Sequence, residues 1–176
     1  MSTVTRLPPS LRNGRAGVTV DYAALERAVP PAALIGLDAS ATLAYLVGSE
    51  AASPAAVWIF DGCLSTGRNP AVLSAVTAAE LLVRPFRAGP AAVGAVEGFL
   101  RFFGSIRLAD VTYAIARDAA RIRATTGLPM PDALVIATAI DQGAEVLVTN
   151  DRQWPASFEA GAGALRIVHL GGFVSG

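Results

Sequence analysis

The sequence predicts a three-layer α/β/α sandwich built around a mostly parallel sheet of five strands. Short apolar runs alternate along the chain with longer segments whose apolar residues recur at helical spacing. Strands that are apolar on both faces and alternate with helices are typical of a parallel sheet covered on both sides. The 176 residues fit one domain, and an apolar content of 53% supplies its core.

Five apolar runs are the predicted strands: residues 34–37, 71–76, 106–108, 146–149 and 165–168. Helical patterns fill the intervals between them. The predicted helices begin near Ser40, Pro54, Thr77, Pro90, Asp110 and Pro131. Proline suits the first helical turn, whose amide needs no partner. Ser40, Thr77 and Asp110 are predicted N-caps, because their short polar side chains can accept a backbone N–H there.

The first 33 residues differ from the rest of the chain. They are rich in proline and carry only a weak helical pattern, at residues 21–29. We therefore divide the chain into an N-terminal extension, residues 1–33, and an α/β domain, residues 34–176. The extension is expected to pack along the domain or against a partner.

Charge spacing argues against a membrane protein, although the mean hydropathy is +0.49. No stretch between charged residues exceeds eleven positions, whereas a membrane-spanning helix needs about 20 apolar residues. The first thirty residues contain arginines and no apolar core of a secretory signal. The cytoplasm is therefore the expected location.

Composition excludes several classes of site. The chain has no lysine, which excludes a Walker P-loop and a Schiff-base lysine. Its single cysteine, Cys63, cannot form an internal disulfide and is expected to be a small buried apolar residue. The net charge is zero, which argues against extensive electrostatic binding of nucleic acid but is compatible with a local basic surface.

Four acidic residues from distant segments are expected at one end of the sheet. Asp38 follows the first strand, Glu80 comes shortly after the second, Asp132 begins a helix, and Asp151 follows the fourth strand. Ligands of open α/β sheets bind outside the carboxyl ends of the strands. Few basic residues accompany these acids, so their charges would repel one another unless a cation joined them.

Such a cluster predicts a divalent metal site. Ligation by oxygen alone suits Mg²⁺ or Mn²⁺, and a bound ion could activate water and stabilise the leaving oxygen of a phosphodiester. The expected reaction is metal-assisted hydrolysis of RNA. Taken singly, Asp38 could be a turn residue, Asp132 a helix-dipole partner and Asp151 a loop cap; the four acids together favour the metal site.

The segments around these acids resemble the four motifs of the PIN-domain family, and most of all its VapC-type toxin ribonucleases from bacterial toxin–antitoxin systems. The resemblance covers about residues 34–170. The segments that carry it are LIGLDAS at 34–40, TAAEL at 77–81, PDALVIATA at 131–139 and LVTNDR at 147–152. The third, with its Pro-Asp-Ala start, is the most specific.

The resemblance implies a Mg²⁺- or Mn²⁺-dependent endoribonuclease with an RNA substrate, inhibited by an antitoxin that inserts a segment into the acidic site. By family position, Asp38 and Asp132 would be the principal metal ligands. Glu80 would complete the cluster directly or through water, and Asp151, rather than the neighbouring Asn150, would bind or orient a second metal or its waters. Among nearby hydroxyls, Ser40 and Thr149 are expected to hold the carboxylates in place.

Two other interpretations remain. The first is a non-catalytic interaction module of the same fold, whose acidic pocket binds a partner that carries an arginine. The second is a hydrolase or phosphotransferase with Asp38 as nucleophile, which the serine at position 40 and the lack of lysine disfavour. We also expect a homodimer, because the helices at 77–103 offer more apolar surface than one sheet face needs.

Two further groups of residues could contact RNA. Five arginines between 101 and 123 could contact phosphates, although a solvated helix face with Asp118 paired to Arg121 is favoured. Trp58 and Trp154 could stack on bases, but packing in the core or at its rim is favoured for both.

Overall fold

A computed structural model describes residues 18–160 and 163–176, which form helices and strands in a layered arrangement. The strands are β1 Thr19–Val20, β2 Ile35–Leu37, β3 Ala71–Ser74, β4 Ile106–Ala109, β5 Val146–Thr149, β6 Ser157–Ala160, β7 Gly163–His169 and β8 Val174–Ser175. The helices are α1 Tyr22–Ala28, α2 Ala39–Val47, α3 Ser53–Val57 with a π-helical continuation Trp58–Leu64, α4 Ala75–Ala88, α5 Pro90–Phe102, α6 Tyr113–Thr126, α7 Met130–Asp141 and a 3₁₀ turn Leu170–Phe173.

The main sheet has six strands in the order β4-β3-β2-β5-β7-β6. The five predicted strands are present and pair in parallel, which confirms the predicted fold class. The sixth strand, β6, was not predicted; it pairs antiparallel with β7 at the edge of the sheet. An edge strand need not be apolar on both faces, so a pattern that selects buried runs misses it.

Alternate residues of the central strands enter two different apolar cores. Ile35 and Leu37 of β2 lie in the same core as Val146 and Val148 of β5, together with residues of α1, α2 and α3. Leu147 points to the opposite face and joins the core formed with α7. This alternation is the period-two geometry of a strand covered on both sides.

A glycine in β2 sets how closely α7 approaches the sheet. A Cβ added to Gly36 would lie 2.6 Å from Leu147 Cδ1 and 3.1 Å from the Cβ of Ala139 in α7. A larger residue at this position would therefore force side chains and helix apart. Because α7 also carries Asp132, this close contact helps to fix the position of that carboxylate.

Helix starts differ in detail from the prediction, because each cap lies two or three residues earlier or later than expected. The observed caps are Asp38, Ser74 and Thr112, in place of Ser40, Thr77 and Asp110. Each observed cap accepts a backbone N–H from the first turn of its helix. One capping residue, Asp38, therefore separates β2 from α2, and β3 runs directly into α4. Both helices start at the carboxyl edge of the sheet.

The described part of the N-terminal segment packs on the domain. Strand β1 pairs antiparallel with β8, and the weak helical pattern is confirmed as α1. Leu25 and Val29 of this segment are fully buried in the core. Residues 1–17 lie outside the described residues, and the division of the chain at residue 33 stays a prediction.

Two neighbouring side chains fasten this segment to the domain. Asn69, which is fully buried, donates from Nδ2 to the carbonyls of Pro30 at 2.8 Å and Ala33 at 2.9 Å. Arg68 donates to the carbonyl of Val29 at 2.9 Å, and its guanidinium also lies over the ring of Trp58. The connection between α1 and β2 is therefore held by hydrogen bonds from the loop that precedes β3.

None of the helices in the described part of the chain combines the length and the apolar character that a membrane crossing needs.

Cys63 is fully buried, as predicted. Burial raises the pKa of its thiol, an effect that exceeds the opposing influence of Arg68. The thiol is thus kept protonated and unreactive in the core.

We expect Asn69→Ala to lower the free energy of unfolding by about 1–3 kcal/mol, because the carbonyls of Pro30 and Ala33 would lose their donor inside the protein. For a chain of this size each kcal/mol corresponds to about 2–4 °C in Tm. Thermal unfolding followed by circular dichroism measures the effect. Glu97→Ala, on the exposed side of α5, is the control. Equal melting temperatures for the two variants would contradict the assigned role.

Candidate metal centre

The four predicted acids are carried by elements that meet at the carboxyl edge of the sheet. Asp38 follows β2 directly, and Asp151 lies two residues beyond the end of the neighbouring strand β5. Glu80 is in the second turn of α4, which starts where β3 ends, and Asp132 is the third residue of α7. Parallel strands end on the same side, so these segments converge although they are far apart in sequence.

Asp38 is the most constrained of the four acids. It is only 6% exposed and caps the start of α2. Its Oδ2 accepts three hydrogen bonds: from the backbone N–H of Ser40 at 3.1 Å, from the Ser40 hydroxyl at 2.5 Å and from the Thr149 hydroxyl at 2.9 Å. No hydrogen bond from the described residues ends on Oδ1. One oxygen of this carboxylate is therefore fixed while the other keeps its lone pairs for a ligand.

The same two hydroxyls join the ends of β2 and β5. Each donates its proton to Asp38 and accepts a backbone N–H: Ser40 Oγ from Asn150 at 2.8 Å, and Thr149 Oγ1 from Asp151 at 3.0 Å. A hydroxyl has one proton and two lone pairs, so this arrangement uses both groups without conflict. The contacts expected of Ser40 and Thr149 with a site carboxylate are thus present.

Asp151 is oriented by its own turn. Its Oδ1 accepts the backbone N–H of Gln153 at 2.9 Å, which is an Asx-type turn. The side chain of the preceding Asn150 is occupied elsewhere, because its Nδ2 donates to Glu50 Oε2 at 3.0 Å. Glu50 was not identified from the sequence: it lies just beyond α2, and no spacing or motif connects it with Asn150.

The acids influence one another strongly enough to shift two pKa values. The pKa of Glu80 is raised, first by burial of its carboxyl group and then by the charges of Asp38 and Asp132. The side chain of Glu80 is exposed, so this burial is only partial. The raised pKa nevertheless places Glu80 within the field of two other acids.

Asp132 is the electrostatic centre of the group. Its pKa is raised by burial, then by the charge of Asp38, with a smaller contribution from Asp151. The indole of Trp154 acts in the opposite direction and lowers it. Within the described residues no arginine forms an ion pair with any of the four acids. Negative charge is therefore concentrated here without a compensating cation from the protein.

The spacing of these side chains is wider than a closed cage of protein ligands. Among residues 18–160 and 163–176, no three His, Cys, Asp or Glu side chains are grouped closely enough to hold one ion together. The structure therefore places the other three predicted acids within electrostatic range of Asp132, without placing three of the four at ligating distance.

Other residues that the sequence suggested for contacts with RNA lie on an exposed helix face or in the core. The predicted pair of Asp118 and Arg121 is present at 3.1 Å on the exposed face of α6. Trp154 is 4% exposed and packs in the core, as favoured. Its influence on the pKa of Asp132 was not predicted, because a core tryptophan and one that acts on a carboxylate have the same sequence pattern.

Comparison with known proteins supports the same assignment of fold. The model of the PIN domain family matches residues 35–157, well over half of the chain. No curated protein sequence gives a significant match.

Similar solved structures include three toxin or toxin–antitoxin proteins. VapC20 of Mycobacterium tuberculosis, described as a Sarcin-Ricin loop cleaving toxin, is 19% identical with a TM-score of 0.54, over 68% of this chain and 90% of that one. A toxin–antitoxin complex from Klebsiella pneumoniae is 18% identical with a TM-score of 0.54, over 79% and 98%. DNA-bound VapBC from Salmonella typhimurium is 20% identical with a TM-score of 0.52, again over 79% and 98%. At these identities the likeness establishes the fold.

We expect Glu80→Gln to raise the Tm of the metal-free protein at neutral pH. A raised carboxyl pKa means that the folded chain holds this proton more tightly than the unfolded chain does. Stability is therefore lost as pH rises from the ordinary glutamate pKa, about 4.3, through the raised value, and the loss persists above it. Glutamine carries no charge and avoids that loss.

Thermal unfolding in EDTA between pH 4 and pH 8 measures the difference in Tm. It should be positive at neutral pH and shrink toward the acid end of the range. The matched control is Glu97→Gln on the exposed face of α5. A Glu80→Gln variant that is less stable than the wild type at neutral pH would show that the acids do not repel one another.

Proposed function

This chain belongs to the PIN-domain family, and from that premise we propose that it is a divalent-metal-dependent endoribonuclease, the toxin of a toxin–antitoxin pair. The observation that carries the proposal is the state of Asp38. Three hydrogen bonds fix its Oδ2, while Oδ1 receives none from the described residues, and the charge of Asp38 acts on both Glu80 and Asp132. A carboxylate with one oxygen fixed by hydrogen bonds, the other open to a ligand and further negative charge nearby suits a hard cation.

The donor set fits Mg²⁺ or Mn²⁺. All four acids offer carboxylate oxygens, the ligand type that these ions prefer. Mg²⁺ is usually bound through one or two carboxylates and several waters rather than by a full cage of side chains. The wide spacing of the acids therefore agrees with direct ligation by Asp38 and Asp132, with Glu80 and Asp151 acting directly or through water.

In this proposal two of the acids bind the metal ion and the other two orient water. A bound divalent ion lowers the pKa of its water and polarises a phosphoryl oxygen. Asp38 and Asp132 would hold the ion at the carboxyl edge of the sheet, Asp38 through Oδ1. Glu80 and Asp151 accept hydrogen bonds from water and orient it toward the scissile phosphodiester of an RNA strand.

We propose an antitoxin as a protein partner. The Klebsiella structure is a toxin–antitoxin complex, and the Salmonella structure is VapBC bound to DNA. The uncompensated charge around Asp132 would attract a basic side chain of an antitoxin segment inserted into the site. The same charge supports the alternative function, a non-catalytic module whose acidic pocket binds an arginine-bearing partner. A measurement of RNA cleavage therefore has to distinguish the two functions.

A second copy of the chain is the other proposed partner. Several large apolar side chains on α4 and α5 are exposed, including Val83 at 49%, Phe86 at 68% and Phe102 at 69%. Apolar side chains gathered on one pair of helices favour association. Dimerisation stays a prediction, which the mass of the full chain in light scattering decides.

We expect the wild type to cleave a mixed RNA pool in the presence of Mn²⁺, with EDTA abolishing the reaction. Asp132→Asn should lower the cleavage rate at least about 100-fold, because loss of groups behind the metal ligands alone costs about 10- to 100-fold. The matched control is Asp141→Asn, at the exposed end of the same helix. It should cleave as the wild type does.

The outcome also separates the two functions. No cleavage by the wild type, together with no measurable Mn²⁺ binding, would contradict the nuclease proposal and favour the non-catalytic module. Equal cleavage by the wild type and Asp132→Asn would instead place the reaction at another site.

A further inference from the structure

A groove between α1 and α3, which we call the α1–α3 groove, shares no residue with the candidate metal centre. It has a volume of about 360 Å³ and is lined by Tyr22, Pro54, Val57, Trp58, Asp61 and Gly62. All but Tyr22 recur at intervals of three or four residues along α3 and its π-helical continuation, so they share one helix face. Ile59 and Phe60, on the other side of the same helix, are fully buried in the core. The groove is therefore the face of this helix that remains partly exposed.

Two aromatic side chains from different elements line the α1–α3 groove. Tyr22 is the first residue of α1 and is 51% exposed. Trp58 is half-buried, and its ring contacts two neighbours: the guanidinium carbon of Arg68 lies 5.4 Å from the ring centroid, and a Cβ added to Gly62 would lie 3.5 Å from Cδ1 of the indole. The orientation of the indole is thus fixed before a ligand binds, which lowers the entropy cost of binding.

The chemistry of the α1–α3 groove fits a proline-rich segment that carries a basic residue. Aromatic grooves bind proline-rich segments in the polyproline II conformation, because that conformation exists before binding. Asp61 adds an acidic group, whose Oδ1 accepts the hydroxyl proton of Tyr45 at 3.0 Å. This carboxylate favours an arginine beside it and disfavours the phosphates of a nucleic acid.

The chain itself contains a segment of this kind outside the described residues. Residues 6–12, which we call the proline segment, read RLPPSLR: two prolines stand between leucines, with an arginine at each end. The whole of residues 1–17 carries three arginines and no acidic residue. Each proline restricts the residue before it to extended backbone. A polyproline II helix has three residues per turn, so Pro8 and Leu11 would share one edge of it.

The proline segment is also near enough along the chain to reach the α1–α3 groove. The described residues begin at Val18, only four positions before Tyr22, which lines the groove. Residues 13–17 form the connection and include Gly14 and Gly17. Five extended residues span up to about 17 Å, so the connection allows the segment to turn back onto the helix face beside Tyr22.

We propose that the proline segment of the same chain occupies the α1–α3 groove, with its prolines against Tyr22 and Trp58 and an arginine beside Asp61. Leu25 and Val29 already anchor the following part of the N-terminal region in the core. The proline segment extends that packing across the outer face of α3. This inference does not depend on the proposed nuclease function.

A spin label on the proline segment tests the contact in the full chain. Ser10→Cys provides the attachment site, because Cys63 is fully buried and its thiol is kept protonated. The chain has two tryptophans, so a ¹⁵N-labelled sample gives two indole N–H signals, which Trp58→Phe assigns. We expect the Trp58 signal to lose intensity and to regain it when the nitroxide is reduced. The Trp154 signal, from the core on the opposite face of the sheet, should keep its intensity.

Two sets of variants separate docking from mere closeness of a tethered chain. Replacing both Pro8 and Pro9 with glycine in the labelled chain should restore the Trp58 signal, because glycine removes the polyproline II preference. Asp61→Asn should restore it in part, since asparagine keeps an acceptor for Tyr45 but loses the charge. The matched control for charge is Glu97→Gln on the exposed side of α5, which should leave the loss of intensity unchanged.

Three outcomes would overturn the proposal. The first is a Trp58 signal as intense as that of Trp154 in the labelled chain. The second is a loss of intensity that persists after both prolines are replaced, which would show that the tether alone brings the label close. The third is a loss at Trp58 when ¹⁵N-labelled chain without the nitroxide is mixed with spin-labelled chain of natural isotope abundance. That result would assign the groove to the proline segment of a second copy.

Discussion

The three hydrogen bonds that end on Asp38 Oδ2 are the interaction on which the rest of the site depends. They join the cap of α2 to the ends of the two central strands, because Ser40 belongs to the helix and Thr149 to β5. The same hydroxyls then receive the N–H groups of Asn150 and Asp151. One small network therefore fixes a carboxylate, two strand ends and the turn that carries a second acid. Such a network is valuable when every member is satisfied, and here each hydroxyl uses its proton and a lone pair.

The acidic side chains around this network repel one another. Burial and neighbouring acids raise the pKa of both Glu80 and Asp132, and no arginine among the described residues pairs with them. The metal-free fold is therefore less stable at neutral pH than it would be with neutral side chains. Local destabilisation of this kind is typical of functional sites, where the charge serves a ligand rather than the fold. The close contact of α7 over Gly36 helps to hold Asp132 in place against that repulsion.

Much of this architecture could be predicted from the sequence, because its strands are short apolar runs separated by helical periods. That pattern located the five parallel strands and placed Asp38 and Asp151 at their ends. It missed β6, since an edge strand does not need two apolar faces. It also misplaced the helix caps, because several short polar residues near each helix start can serve. The contact of Glu50 with Asn150 depends on side-chain directions that no spacing in the sequence encodes.

The central claim is that Asp38 is a prepared metal ligand, with one oxygen fixed by the protein and the other reserved for a cation. Anomalous diffraction from crystals of the full chain grown with Mn²⁺ tests it most directly. The account predicts an anomalous peak in contact with Oδ1 of Asp38 and with the carboxylate of Asp132, while Oδ2 keeps its hydrogen bonds to Ser40 and Thr149. A peak on Oδ2 with those hydrogen bonds broken, or no peak among the four acids, would contradict it.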